Sequence, residues 1–175
     1  AVVVLGMGHD GSQSRTILAQ PFPMSVAIEP FSPFAMRQAE DAKKKLKEVL
    51  CLIKEPISNA QDLIEKLVAV PNATGIALQR SPTVLPIDKL RDEGLYLLDV
   101  NGELESDALR AATNAGIPSL CLNHEFKAGD ELRLGHMARV SEGLIVTVNA
   151  AVQSDVEALS SWVQSAEAIR PVFLS

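Results

Sequence analysis

The first ten residues, AVVVLGMGHD, place the strongest constraint on what this chain can fold into. Residues 2–5 form a continuous β-branched and aliphatic run, which is too short for an ordinary helix and is ended by Gly6-Met7-Gly8. This pattern predicts a strand that is buried on both faces, as in the centre of a parallel sheet. His9 and Asp10 follow at the carboxyl end of that strand, where α/β folds usually carry their chemistry.

Short apolar runs of the same kind recur along the chain and alternate with segments of helical period. The predicted strands cover residues 2–5, 24–28, 48–53, 75–78, 95–100, 119–122, 143–148 and 171–174. The predicted helices cover residues 12–18, 32–47, a segment that opens at Ser58, and residues 86–92, 104–115, 130–140 and 154–168. Alternation with short connections is typical of parallel strands joined by right-handed crossovers. We therefore predict an α/β fold, a distorted (β/α) barrel of about seven to eight parallel strands, with an open doubly wound sheet as the alternative.

The bulk properties limit the classes of protein to which the chain can belong. With 175 residues, of which 47% are hydrophobic, we predict a single domain that spans residues 1–175. A net charge of −6 and the lack of a basic cluster interleaved with aromatic residues argue against a nucleic-acid partner. No apolar run approaches the roughly 20 residues that span a bilayer, and no signal peptide is present. Because the chain begins on a strand without Met, we expect an upstream segment to have been removed.

The two cysteines lie inside apolar runs, VLCLI at Cys51 and SLCLN at Cys121. This setting favours two buried thiols over a disulfide. Neither cysteine belongs to a C-x-x-C or similar ligand spacing, so we do not expect them to bind a metal.

Six further segments, in the same order along most of the chain, resemble motifs of a known family. They are PFPMSVAIEP at 21–30, EVL leading to Glu55-Pro56, VPNATGI at 70–76, GLYLLD at 94–99, AGIP at 115–118 and EGLIV at 142–146. Together they resemble the divergent polysaccharide deacetylase family, which belongs to the NodB-like deacetylases. The resemblance implies a distorted (β/α) barrel, a glycan substrate and a location in the periplasm or cell envelope.

The same resemblance implies where the family's catalytic groups would fall. The two adjacent Asp residues of its first motif fall at Leu5 and Gly6, and the His residues of its third strand, fourth strand and final Gly-His-Pro motif fall at Cys51, Gln79 and Ala150. An Asp expected after the sixth strand falls at Asn123, or at His124 if the register slips by one residue. Of the polar positions that can be placed, Asp99 alone is retained.

Hydrophobic and amide side chains lack the negative charge that holds a divalent ion in competition with water. We therefore expect a catalytically degenerate domain without a cofactor, a pseudoenzyme that binds a glycan or an envelope protein. The alternative is an active, metal-dependent N- or O-acetyl deacetylase that holds zinc or another divalent metal at a relocated site.

The chain has its own polar residues for such a relocated site. A barrel would bring the strand-end residues towards one rim; they are His9, Asp10, Asp99, Asn123, His124 and Glu125. Among them, His9, Asp10 and His124 are the candidate metal ligands.

Each of these residues also has a simpler interpretation. Asp10 is typical of a turn in which the carboxylate bonds its own backbone, and Asp99 of the start of the Asn101-Gly102 turn. His124 and Glu125 are typical of a solvated loop, and Cys51 of a packed core thiol rather than a nucleophile. The loop GMGHDGS also resembles a phosphate cradle, but it lacks the Lys and the spacing of known nucleotide-binding motifs.

Overall fold

The computed structural model of the chain is an α/β structure of eight strands and seven helices within the residues that it describes, which are 1–101, 107–121, 124–140, 144–165 and 171–174. The strands are β1 (Val2–Met7), β2 (Ser25–Ile28), β3 (Glu48–Ile53), β4 (Gly75–Leu78), β5 (Tyr96–Asp99), β6 (Ser119–Cys121), β7 (His124–Glu125) and β8 (Val146–Asn149). The helices are α1 (Gly11–Leu18), α2 (Ala35–Lys44), α3 (Ala60–Ala69), α4 (Ile87–Asp92), α5 (Asp107–Asn114), α6 (Glu131–Val140) and α7 (Gln153–Ser165).

The eight strands form one parallel sheet in the order β6-β5-β4-β3-β2-β1-β8-β7. Each strand from β1 to β6 lies beside its neighbour in the chain, without the reversal of strand order that defines a doubly wound sheet. The two edge strands are consecutive in sequence, and the step from Cys121 to His124 can span at most about 11 Å. The sheet therefore curls towards closure, which confirms the predicted distorted (β/α) barrel.

The alternation of side chains along each strand divides the core into two parts. Val2, Val4 and Met7 of β1 belong to the larger, helix-covered cluster, whereas Val3 and Leu5 belong to a smaller cluster inside the curled sheet. The same alternation runs through the other central strands, since successive strand residues point to opposite faces. Both faces are buried, as the continuous apolar runs predict.

The inside of the barrel is closed at its amino end by a large ring packed over a glycine. Gly75 of β4 is the register partner of Tyr96 of β5, so the two residues face the same side of the sheet. A Cβ atom at Gly75 would lie 2.7 Å from the Tyr96 ring, closer than real Cβ contacts allow. The ring can occupy this place because residue 75 has no side chain.

Three sequence predictions are wrong in the structure. Residues 171–174 form no strand; Leu174 instead packs against the inner cluster at the amino end of the barrel. The sheet gains its remaining strand from β7 (His124–Glu125) instead. This segment was interpreted as a loop, but it pairs with β8. Cys121 is exposed rather than buried because β6 is a three-residue edge strand, whereas Cys51 is buried as predicted, and both thiols are free.

Candidate functional site

A cavity of about 770 Å³ lies inside the barrel at the carboxyl ends of the strands. Its apolar wall includes Leu5, Leu52 and Val100, which continue the inner core cluster. Its polar wall consists of residues that lie on or directly after six different strands. They are His9, Lys54, Gln79, Asn101, His124, Glu125, Thr147 and Asn149. This is the position at which parallel α/β folds bind their ligands.

The loop after β1 places His9 beside the cavity and turns Asp10 away from it. Asp10 is the N-cap of α1 and accepts hydrogen bonds from the backbone N–H groups of Ser12 and Gln13, at 2.7 and 3.2 Å. The Ser12 hydroxyl donates a further bond to the same carboxylate oxygen at 2.7 Å, and these bonds lower the pKa of Asp10. The carboxylate is therefore engaged in capping the helix, as its simpler interpretation predicts.

His9 and Lys54 are held together by one carboxylate. Nε2 of His9 lies 2.8 Å from Oε2 of Glu29, and Nζ of Lys54 donates to the same oxygen at 2.5 Å. Partial burial alone would raise the pKa of Glu29, but the bonds from Lys54 and His9 outweigh it, so the pKa lies below its ordinary value. Glu29 thus connects the loop after β2 to the rim residues that follow β1 and β3.

A second charged cluster lies where β7 leads into α6. Nε2 of His124 lies 3.1 Å from Oδ2 of Asp130 and 2.6 Å from a guanidinium nitrogen of Arg133. The bond with His124 and one from the backbone N–H of Lys127 lower the pKa of Asp130. His124 and Glu125 therefore lie in a strand that pairs with β8, and both line the cavity, which corrects their interpretation as a solvated loop.

Asp99 ends β5 and is buried, with an exposure of 6%. Its Oδ1 accepts a hydrogen bond from the backbone N–H of Asn101 at 2.9 Å, and the Asn101 amide donates in turn to the carbonyl of Gln79 at 2.7 Å. This is the turn predicted as the simpler role of Asp99. Asn101 and Gln79, rather than Asp99, present their side chains at the cavity.

The other family positions lie in two different environments. Leu5 and Gly6 line the cavity, but they carry no group that could ligate a metal. Cys51 faces the helices in the outer core, where burial raises the pKa of its thiol to about 12, and Ala150 is buried in that same core. Asn123 lies outside the described residues.

The three candidate metal ligands are not brought together as one group. His9 and His124 both line the cavity, whereas Asp10 caps α1. Among the residues that the structure describes, no three His, Cys, Asp or Glu side chains are placed so that they could share a metal ion.

Sequence reasoning missed polar residues of the cavity wall, and also the carboxylate that holds two of the rim residues together. Lys54 and Asn149 occupy the same kind of strand-end position as Gln79, and this position is a signal that could have found them. Thr147 stands in an apolar run, GLIVTV, where the alternation of β8 alone decides that it faces inwards. Glu29 follows β2 directly, but its contact with His9 and Lys54 depends on the curvature of the sheet.

Comparison with known proteins supports the fold. No family model matches the chain, and no curated protein is significantly similar to it in sequence. None of the helices in the described ranges combines the length and apolar character needed to cross a bilayer. The structure is similar to the crystal structure of uncharacterized protein ATU2773 from Agrobacterium tumefaciens C58, with a TM-score of 0.69 and 20% sequence identity over 94% of this chain and 81% of that chain.

Proposed function

We propose that this domain is a catalytically degenerate relative of the divergent polysaccharide deacetylases, which works in the bacterial cell envelope by binding a glycan rather than hydrolysing it. The observation that carries the proposal is the polar cavity at the carboxyl ends of the strands. The family resemblance of the sequence motifs supports the choice of a glycan and of the periplasm or envelope as its location.

The chemistry of the cavity wall supports binding over metal-assisted hydrolysis. The positions at which the family would place its two adjacent carboxylates are Leu5 and Gly6, and neither can ligate a metal. The position of the fourth-strand imidazole is Gln79, an amide that both donates and accepts hydrogen bonds. Gln79, Asn101 and Thr147 supply neutral donors and acceptors, which suit the hydroxyl groups of a sugar ring.

The test is isothermal titration of the purified domain with a panel of neutral and amino-sugar oligosaccharides. Gln79→Ala should weaken binding roughly three- to tenfold, because one or two hydrogen bonds are lost. Gln61→Ala is the matched control, since Gln61 is an exposed residue of α3 that bonds Glu65 and does not line the cavity. Equal affinities of the two variants, or no binding to any glycan, would contradict the proposal.

An active deacetylase with a relocated metal is the second candidate, favoured by the presence of both His9 and His124 at the cavity. Release of acetate from acetylated glycans, abolished by a chelator and restored by zinc, would establish this activity. His9→Ala and His124→Ala should then each remove both the activity and the bound metal. Acetate release that is unchanged in both variants would instead indicate a contaminating enzyme.

A protein partner is the third candidate, favoured by an apolar patch on the surface near the start of α2. Phe31 and Met36 are 67% and 56% exposed, and the bulky Phe31 adopts a left-handed backbone conformation with a φ of 61°. Strain and exposed apolar area together are typical of interaction surfaces. If the partner is a second copy, sedimentation velocity should show a dimer that Phe31→Ser converts to a monomer.

A further inference from the structure

The cavity contains one buried hydroxyl whose hydrogen bonding the described part of the protein leaves incomplete. Thr147 is 1% exposed and lies on β8, where its neighbours Val146 and Val148 belong to the helix-covered core. The alternation of the strand therefore directs the Thr147 side chain inwards, and the residue is part of the cavity wall. Its Oγ1 has no hydrogen-bond partner among the described residues. Buried hydroxyl groups are normally bonded, so an unpartnered one at a cavity wall marks a position for a ligand.

Two polar residues stand beside Thr147 on the same inner face. Glu125 of β7 is its register partner, and neighbouring strands lie about 4.8 Å apart. Asn149 follows two residues along β8, and its Oδ1 already accepts a hydrogen bond from the backbone N–H of Ala151 at 2.9 Å. The amide nitrogen of Asn149 is therefore the end that a ligand can use.

The nearby cationic side chains pair with other carboxylates, so the Glu125 carboxylate is available to a cationic group of a ligand. The nearby cations have their own carboxylates, since Lys54 pairs with Glu29 and Arg133 with Asp130. Within the described ranges, Glu125 takes part in no ion pair with a protein cation. A carboxylate and a hydroxyl side by side supply acceptors for an ammonium group, which carries three donors.

We propose that Glu125, Thr147 and Asn149 form a subsite for the protonated amino group of an amino sugar. This inference rests on the proposed function and specifies its ligand, a glycan with free amines. Glu125 and Thr147 accept from the ammonium, and the Asn149 amide donates to a neighbouring hydroxyl of the same ring. An N-acetyl group in this place would replace the cation by a neutral amide and lose the charge-assisted bond to Glu125.

The experiment compares a glucosamine oligosaccharide with its fully N-acetylated counterpart, by titration calorimetry at a pH at which the amines are protonated. The wild-type protein should bind the free-amine sugar about tenfold more tightly, because a hydrogen bond to a charged group is lost on acetylation. Glu125→Gln should abolish this difference. Glu157→Gln, on the exposed side of α7, is the matched control and should retain it.

Thr147→Val separates a ligand site from a packing role. Removal of an unpartnered buried hydroxyl should leave the thermal stability of the free protein unchanged or raised, while binding of the free-amine sugar weakens. Thr147→Ser should restore binding, because it keeps the hydroxyl. Loss of stability without loss of binding would show a packing role and overturn the proposal.

The proposed function and the subsite fail in different ways. Equal affinity for the two sugars, with binding still weakened by Gln79→Ala, would overturn the amine subsite and leave glycan binding in place. Tighter binding of the N-acetylated sugar would overturn it equally. If neither these sugars nor the wider panel bind, both proposals fall.

Discussion

The backbone N–H of Leu174 donates a hydrogen bond of 3.0 Å to Oε2 of Glu48, and so joins residues 171–174 to the first residue of β3. The Ser25 hydroxyl donates to the same oxygen, and the Thr74 hydroxyl lies 3.3 Å from Oε1. Burial, together with the adjacent Glu48 carboxylate, raises the pKa of Tyr96. The buried Glu48 carboxylate therefore links β2, β3 and residues 171–174 by hydrogen bonds at the amino end of the barrel, which is the end opposite the candidate site.

Removal of this carboxylate should destabilise the fold. Glu48→Ala leaves the donors of Ser25 and Leu174 unsatisfied in a buried place, which costs about 1–3 kcal/mol. Glu48→Gln should cost less, because its amide oxygen can still accept. Urea denaturation measures both free energies of unfolding. An Ala variant as stable as the wild type would show that solvent replaces the carboxylate.

The packing of Tyr96 over Gly75 predicts opposite effects of two glycine substitutions. Gly75→Ala places a methyl group 2.7 Å from the ring and should destabilise the protein by about 1–3 kcal/mol. Gly135→Ala, within α6, meets no atom within 4 Å and should stabilise it by about 0.5–1 kcal/mol. Thermal melts of both variants test the pair, and a stable Gly75→Ala variant would mean that the ring can move aside.

The two cysteines should differ in reactivity in the folded protein. Cys51 is buried and its thiol has a pKa of about 12, so little thiolate forms, whereas Cys121 is exposed. A thiol reagent at pH 8 should label Cys121 within minutes and Cys51 only in denaturant. Mass spectrometry of the labelled protein identifies the site. Rapid labelling of Cys51 without denaturant would contradict its place in the outer core.

The cap of α1 should make stability depend on pH through Asp10. Its hydrogen bonds lower the pKa of the folded state below the ordinary value of 3.8, so the ionised cap stabilises the protein above that pH. This contribution is lost as the pH falls through the lowered pKa of the folded state. In Asp10→Asn, the decline of stability with acid should therefore be shallower than in the wild type. Denaturation curves between pH 2 and 6 measure the free energy of unfolding of both proteins. If the two free energies fall in parallel with acid, the Asp10 cap does not contribute to the pH dependence.

Local pattern determined most of the elements and the backbone-bonding roles of Asp10 and Asp99 beside the site. The β-branched run after Ala1 and the six later runs between residues 24 and 148 all became strands, because short apolar runs bounded by turn residues are typical of strands buried within a parallel sheet. Asp10 also took the turn-like role that its neighbours predict, since its bonds reach no further than Gln13. The strand at His124–Glu125 was missed because two residues carry no periodicity.

The full set of residues that line the cavity was decided by tertiary structure. Residues 9, 54, 125 and 147 are far apart in the chain, and the curl of the sheet brings their side chains to one wall. Sequence alone determined the alternating strands, the burial of the central ones and the bonding of Asp10 to its own local backbone, because those depend on contacts between near neighbours. Strand order and the hydrogen bond between Leu174 and Glu48 depend on long-range pairing, which no local pattern encodes.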